Sequence, residues 1–183
     1  MRKTRLENWI QEIEGLPQLT REALDALQLG RLNETLKRLH DSGRAYPESV
    51  GSLKELEALP FTTAQMLADK PGAYLLSSQS EVSRVISGAT SGTTGPAKRV
   101  FYTEKDTEHT VGFFAAGISE MLSAGEKCLI AFPFSGPFGL GDLIAKAVER
   151  LGAVPVKAGY GQSWAELCAL VKETQPDTYI GFP

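Results

Sequence analysis

The chain has 183 residues, 42% apolar and 22% charged, which suits one globular domain with a sizeable core. A net charge of −3, with the basic residues scattered, excludes a general nucleic-acid or anionic-membrane binder. Two cysteines, Cys128 and Cys168, each lie in an apolar run, so reduced core thiols are expected and a disulfide scaffold is not. "MRKTRLENWIQEIEG" lacks a signal-peptide core and no stretch has the length of a membrane span, which makes the cytoplasm the expected compartment.

Residues 1–80 read as helices. Leu6, Trp9, Ile10 and Ile13 share one helical face, and Leu29, Leu32, Leu36 and Leu39 repeat that spacing in a longer helix ended by "DSGRAYP". Ser52 with Glu55, and Thr62 with Gln65, have the spacing of capping boxes that open two short helices. From residue 81 to 183 the pattern alternates. "VSRVI" and "KRVFYT" look extended, and Thr103 is placed to cap a helix with Val111, Phe114, Ile118 and Leu122 on its face. "KCLIAFPF" reads as a buried strand, and Leu140, Leu143, Ile144, Ala147, Val148 and Leu151 as a helix face. "AVPVKA" follows as a strand, then a helix opened by Ser163 and Glu166 through Trp164, Leu167, Cys168 and Val171, then the strand "DTYIGF". The alternation predicts an α/β fold: a helical N-terminal section, then βαβ units forming a parallel sheet flanked by helices.

Between the first two strands lies "SGATSGTTGPAK". Its first nine residues hold three glycines and five hydroxyl side chains, with no charge and no large apolar group. Gly88, Gly92 and Gly95 let successive backbone N–H groups converge on an anion. Thr90, Ser91, Thr93 and Thr94 add hydroxyl donors, and Lys98 a cation three residues past the last glycine. The set suits a polyphosphate; the alternative is a mobile surface hairpin rich in turn formers. It is not a P-loop, because Pro96 and a strand follow the last glycine where that motif has Lys-Ser/Thr and a helix. With so little apolar surface to pin it, the loop is expected to be poorly ordered without ligand.

Other candidates are weaker. His40 and His109 read as surface histidines, no cluster has metal-ligand spacing, and Ser91 lacks the setting of a nucleophile. No residue reads as a general base. "FPFSGPFGLG" follows a strand at its C-terminal end, where open α/β sheets bind ligands. Gly136, Gly139 and Gly141 there admit a ligand or backbone, and Phe132, Phe134 and Phe138 offer an apolar wall. Aromatic packing at a strand–helix turn accounts for the stretch equally well.

"TSGTTGPAK" resembles the phosphate-binding signature of the adenylate-forming superfamily. "LPFTTAQMLAD" and "AFPFSGPFGLGD" resemble segments of its phenylacetate-CoA ligase-like branch, over residues 50 to 183. The resemblance implies ATP-dependent activation of a carboxylic acid, with Thr90, Ser91, Gly92, Thr93, Thr94, Gly95 and Lys98 on the phosphates, Mg²⁺ alongside and coenzyme A as acceptor. It also implies that Phe134, Gly136 and Gly139 lie near the pocket for the acid. The departures are Pro96 two positions ahead of Lys98, where the family has proline adjacent, and Arg99 where a small residue is usual. Arg99 is then a second cation near the phosphates or a solvent-facing residue. The family's downstream adenine, ribose, hinge and catalytic-lysine segments have no counterpart here. The chain is therefore expected to be an N-terminal part that cannot form an acyl adenylate alone, and that self-associates or pairs with a missing C-terminal portion or second subunit. An enzyme with a non-CoA acceptor and a non-catalytic nucleotide-binding or interaction module remain the alternatives.

Overall fold

Cys128, Leu129 and Ile130 are fully shielded from solvent, and the later half of the chain is built around them. The computed structural model describes residues 4–88, 98–136 and 139–182. Two compact units divide the chain, one of Leu16–Glu104 and one of Met1–Gly15 with Lys105–Pro183. They cut across the compositional boundary near residue 80. Helix α1 (Arg5–Glu14) groups with the later elements because its apolar face finds cover there. Trp9 lies against His109 and Phe113, with ring centroids 5.2 and 6.1 Å away, and over Gly112, where a Cβ would come within 3.3 Å of the indole.

In the unit of Leu16–Glu104, Thr20 caps α2 (Arg21–Asp41) by accepting from the Ala23 N–H. Leu36 is buried, and the Asn33 side chain holds Val50 from both sides, accepting from its N–H at 2.8 Å and donating to its carbonyl at 3.0 Å. The capping boxes expected here do not form. Leu53–Ala58 is a 3₁₀ helix in which the Glu55 carboxylate accepts from Gly51 N–H and Ser52 Oγ, and Ser52 makes no capping bond. Helix α3 (Ala64–Asp69) is capped by Thr63 instead of Thr62, whose hydroxyl pairs with Tyr46 Oη; Gln65 donates to Asp69. With two adjacent threonines, tertiary contact decides which one caps.

Strands β1 (Val82–Gly88) and β2 (Lys98–Thr103) form an antiparallel pair. Their register sets Val85 opposite Phe101 and Gly88 opposite Lys98.

In the other unit, α4 (Glu104–Ile118) begins directly after Thr103 and buries Val111, Gly112, Ala115 and Ile118. Strand β3 (Lys127–Ala131) leads to α5 (Leu140–Arg150), then β4 (Val154–Lys157), α6 (Trp164–Thr174) and β5 (Thr178–Gly181). The three strands form a parallel sheet in the order β4-β3-β5. Strand alternation sends Cys128 and Ile130 to one face, where they join Ile144, Ala147 and Val148 of α5 and Ile118 of α4. Burial pushes the Cys128 thiol up to about 11, so it stays protonated and inert at neutral pH.

Two expectations fail at the periphery. Leu140 is exposed at the first turn of α5, and Cys168 is only half-buried on α6, a helix with no buried residue. Periodicity identifies an apolar face but not what covers it.

The capping box of α6 does form. The Glu166 carboxylate accepts from the Ser163 N–H and hydroxyl at 2.8 and 2.7 Å, and Ser163 Oγ accepts from the Glu166 N–H. The Ser163 side-chain bond and then its backbone bond hold the Glu166 carboxyl below its ordinary value. A lowered folded value means the box contributes fully above the unfolded glutamate's pKa and is lost as pH falls through the folded one. The Ser163 amide resonance is expected to titrate with a midpoint below that of glutamate in an unstructured peptide. Glu166→Gln is expected to erase the inflection.

Candidate functional site

Thr90, Ser91, Gly92, Thr93, Thr94 and Gly95 lie outside the described residues, as does the expectation about their order. What is described is the frame that carries them. The β1–β2 ladder runs up to the Gly88–Lys98 pair, so the two ends of the nine-residue segment 89–97 are held across one ladder rung. Such closure removes loop entropy before any ligand arrives. Lys98 is the first residue of β2, held in the ladder by its backbone. Arg99 is exposed on the wall of a groove of about 460 Å³ with Val85, Phe101, Pro71 and Leu75.

A second set of residues gathers at the C-terminal ends of the parallel strands, in the other unit. After β3, Phe132 packs edge-on to Phe182, which follows β5, at 4.8 Å between centroids. Tyr160, beyond the end of β4, meets the same ring at 5.9 Å. Phe134 is half-buried against the core and carries the Lys157 ammonium 5.4 Å from its centroid. Asp142 Oδ2, in the first turn of α5, is buried without a hydrogen-bond partner among the described residues.

The glycines of this turn divide by task. Gly136 has φ +99°, a conformation other residues avoid, with open space where a side chain would stand. Gly139 is buried, and Ser135 N and Oγ lie 2.7 Å from where its Cβ would be. The space at Gly139 is thus taken by the chain's own backbone. At Gly141 a Cβ would stand 2.8 Å from the Pro133 carbonyl oxygen, the acceptor of the Gly141 N–H. Backbone cannot swing aside as a side chain tip can. Gly141→Ala is therefore expected to cost about 1–3 kcal/mol, the overpacking range, in chemical denaturation. An unchanged midpoint would mean the turn is looser than it looks. Phe138 lies outside the described residues.

Of the sequence-predicted pocket residues, Phe134, Gly136 and Gly139 fall at this sheet edge. Lys157, Tyr160, Asp142 and Phe182 were missed. Each sits just past, or at the end of, a parallel strand or at the start of the following helix, so the strand-end rule applied to every strand could have found them. His40 and His109 are both exposed, the former against the Tyr46 carbonyl and the latter against Trp9. Among the described residues no group of three or more His, Cys, Asp or Glu is placed to hold a metal ion. No described helix is long and apolar enough to cross a membrane.

A parallel sheet with helices, preceded in the chain by the antiparallel β1–β2 pair, has the architecture of the N-terminal part of an adenylate-forming CoA ligase. In sequence the chain is 30% identical over 176 residues to phenylacetate-coenzyme A ligase of Escherichia coli (strain K12), covering 88% of this chain and 39% of that one. In structure it is similar to 2-hydroxyisobutyryl-CoA ligase with 2-HIB-AMP and CoA in the thioesterification state, at TM-score 0.71, 23% identity, and 90% and 38% coverage. An open conformation of that ligase gives TM-score 0.70, 20% identity, and 90% and 39% coverage. At those identities the solved structures show the fold alone. No protein-family model matches the chain. The chain spans about two fifths of the length of these ligases.

Proposed function

We propose that this chain carries the phosphate-binding element of an ATP-dependent carboxylate–CoA ligase. The observation that carries the reading is the likeness to phenylacetate-coenzyme A ligase across 88% of the chain, with "TSGTTGPAK" between the paired strands. In the reaction a carboxylate oxygen attacks the α-phosphorus of ATP and pyrophosphate leaves. The thiol of coenzyme A then attacks the acyl carbon, and AMP departs with its bonding pair.

The roles assigned to this chain are electrostatic and positional. Backbone N–H groups and hydroxyls of Thr90–Gly95 hold the phosphate oxygens, and Lys98 offsets charge on the leaving pyrophosphate. Mg²⁺ would arrive with the nucleotide and offset charge on its phosphates, since no described group of this chain is placed to hold a metal by itself. The aromatic edge of Phe132, Phe134, Tyr160 and Phe182 is proposed to face the organic part of the acid, with Gly136 at the turn leaving space beside it. The rest of the machinery belongs to the portion of the ligases that this chain does not span.

The test is a single polypeptide in which this chain replaces the matching portion of the E. coli ligase. Labelled pyrophosphate should exchange into ATP only when a carboxylic acid is present, and coenzyme A should then yield a thioester. Exchange that ignores the acid, or a folded chimaera with none, overturns the reading.

A further inference from the structure

Arg5 pins the first turn of α1 to the end of α4: its N–H donates to the Glu120 carboxylate and its Nη1 to the Ser119 carbonyl at 2.5 Å. Between the two helices and the end of α5 lies a groove of about 560 Å³, within the volume range of small-molecule sites. Gly112, Ala115 and Ala116 of α4 form a low floor, with Ile13 and Leu151 as apolar walls. Because Gly112 has no Cβ, two donors converge over it. The Trp9 indole nitrogen and Arg150 Nη1 each lie 3.4 Å from where that atom would stand. Arg150 is held there through Nη2, which donates to the Glu108 carboxylate. Among the described residues, neither Nη1 nor the indole N–H has a hydrogen-bond acceptor. Lys105 lines the same groove and has no ion-pair partner among the described residues, and His109 stands against Trp9.

We infer that this groove binds a small organic monocarboxylate, with its carboxylate between the Trp9 indole N–H and Arg150 and its apolar body along Ala116 and Leu151. Indole, guanidinium and ammonium groups donate and do not accept, so their ligand is an anion. Glu108 already offsets the charge of Arg150, which leaves Lys105 as the uncompensated cation among the described Lys, Arg, Asp and Glu side chains of the groove. One net positive charge matches a monoanion better than a phosphate dianion. The planar guanidinium edge also fits a planar carboxylate. The alanine and aliphatic surface gives an inorganic ion nothing to cover, whereas an organic body there leaves water. The groove lies where α5 ends, away from the β3–α5 turn that carries Phe134, and the inference does not depend on the ligase reading.

Trp9 is the reporter. With Trp164→Phe it becomes the sole tryptophan of the full chain. Titration of that protein with hexanoate, and separately with phenylacetate, at millimolar concentrations should change its emission saturably. The Gly112 and Ala116 amide resonances should shift most. Hexanamide keeps the body and loses the charge, and inorganic phosphate does the reverse; each should bind at least about tenfold more weakly. Lys105→Gln and Arg150→Gln should each weaken hexanoate binding about tenfold. Lys105 is exposed, so its variant should keep the fold, which circular dichroism checks. The site is overturned by an emission that neither acid changes, by hexanamide or phosphate binding as tightly as hexanoate, or by an affinity indifferent to Lys105→Gln in folded protein. Largest shifts at Phe134 and Gly136 would put the acid at the sheet edge, which sinks this site and leaves the ligase reading standing. A chimaera without pyrophosphate exchange sinks that reading and leaves this site untouched.

Discussion

Replacing Lys98 with alanine in the chimaeric ligase is expected to slow acid-dependent pyrophosphate exchange by about 10- to 1,000-fold, the scale for removing one charged group that stabilises a transition state. Charge accumulates on the pyrophosphate as its bond to the α-phosphorus breaks. A point cation at the mouth of the loop is worth more in that state than in the ground state. The deficit should accordingly fall on kcat more than on the KM for ATP. Stability should barely move, because position 98 contributes its peptide group to the ladder opposite Gly88, and alanine keeps that group. Lys98→Arg should recover only part of the rate, since a planar fork does not replace a compact ammonium. Unchanged exchange in Lys98→Ala would remove this residue from the chemistry.

Truncating Ile130 to alanine is expected to cost about 2–5 kcal/mol in chemical denaturation, the range for removing a large aliphatic side chain from a closed core. Ile130 has no exposed surface and lies in one cluster with Ile144, Val148 and Ile180, so the void is lined from a helix and a neighbouring strand. The central position of β3 leaves little room for collapse. By contrast, Val85→Ala on the β1–β2 hairpin, where the side chain is 48% exposed, should stay within about 0.5 kcal/mol. The difference matters for the site, because β3 delivers Phe132 and Phe134 to the sheet edge. A cost for Ile130→Ala no larger than that of Val85→Ala would show that β3 does not centre the core.

The elements most legible in the sequence are those whose identity local pattern decides. "KCLIA" is apolar on both faces because β3 is covered on both, and Ser163 with Glu166 announces the start of α6 by its own hydrogen bonds. The β1–β2 pair was legible because two extended runs flank a short glycine-rich segment. Where tertiary contact decides, the reading failed. Thr62 and Thr63 have the same local chemistry, and Tyr46 draws off the first. Cys168 has helical spacing suited to a core, yet it is only half-buried, on a helix with no buried residue. The capping boxes at Thr4–Glu7 and Ser78–Glu81 were passed over: the first opens the apolar face of α1, which was read from its periodicity alone, and the second opens only a single 3₁₀ turn ahead of β1. At the sheet edge, Phe134 and Gly136 were visible from one strand's turn. Tyr160 and Phe182 join them only once β4 and β5 align on β3, a fact of register that no single stretch contains.

The central claim is that the glycine-threonine segment between β1 and β2 binds phosphate. The most direct measurement is amide NMR of this chain during titration with Mg·ATP and, separately, with Mg·pyrophosphate at millimolar concentrations. The largest shifts are expected at residues 88–98 with both ligands, and Lys98→Ala should weaken both titrations. The largest shifts elsewhere in the chain, or no shift at these residues with either ligand, would contradict the claim.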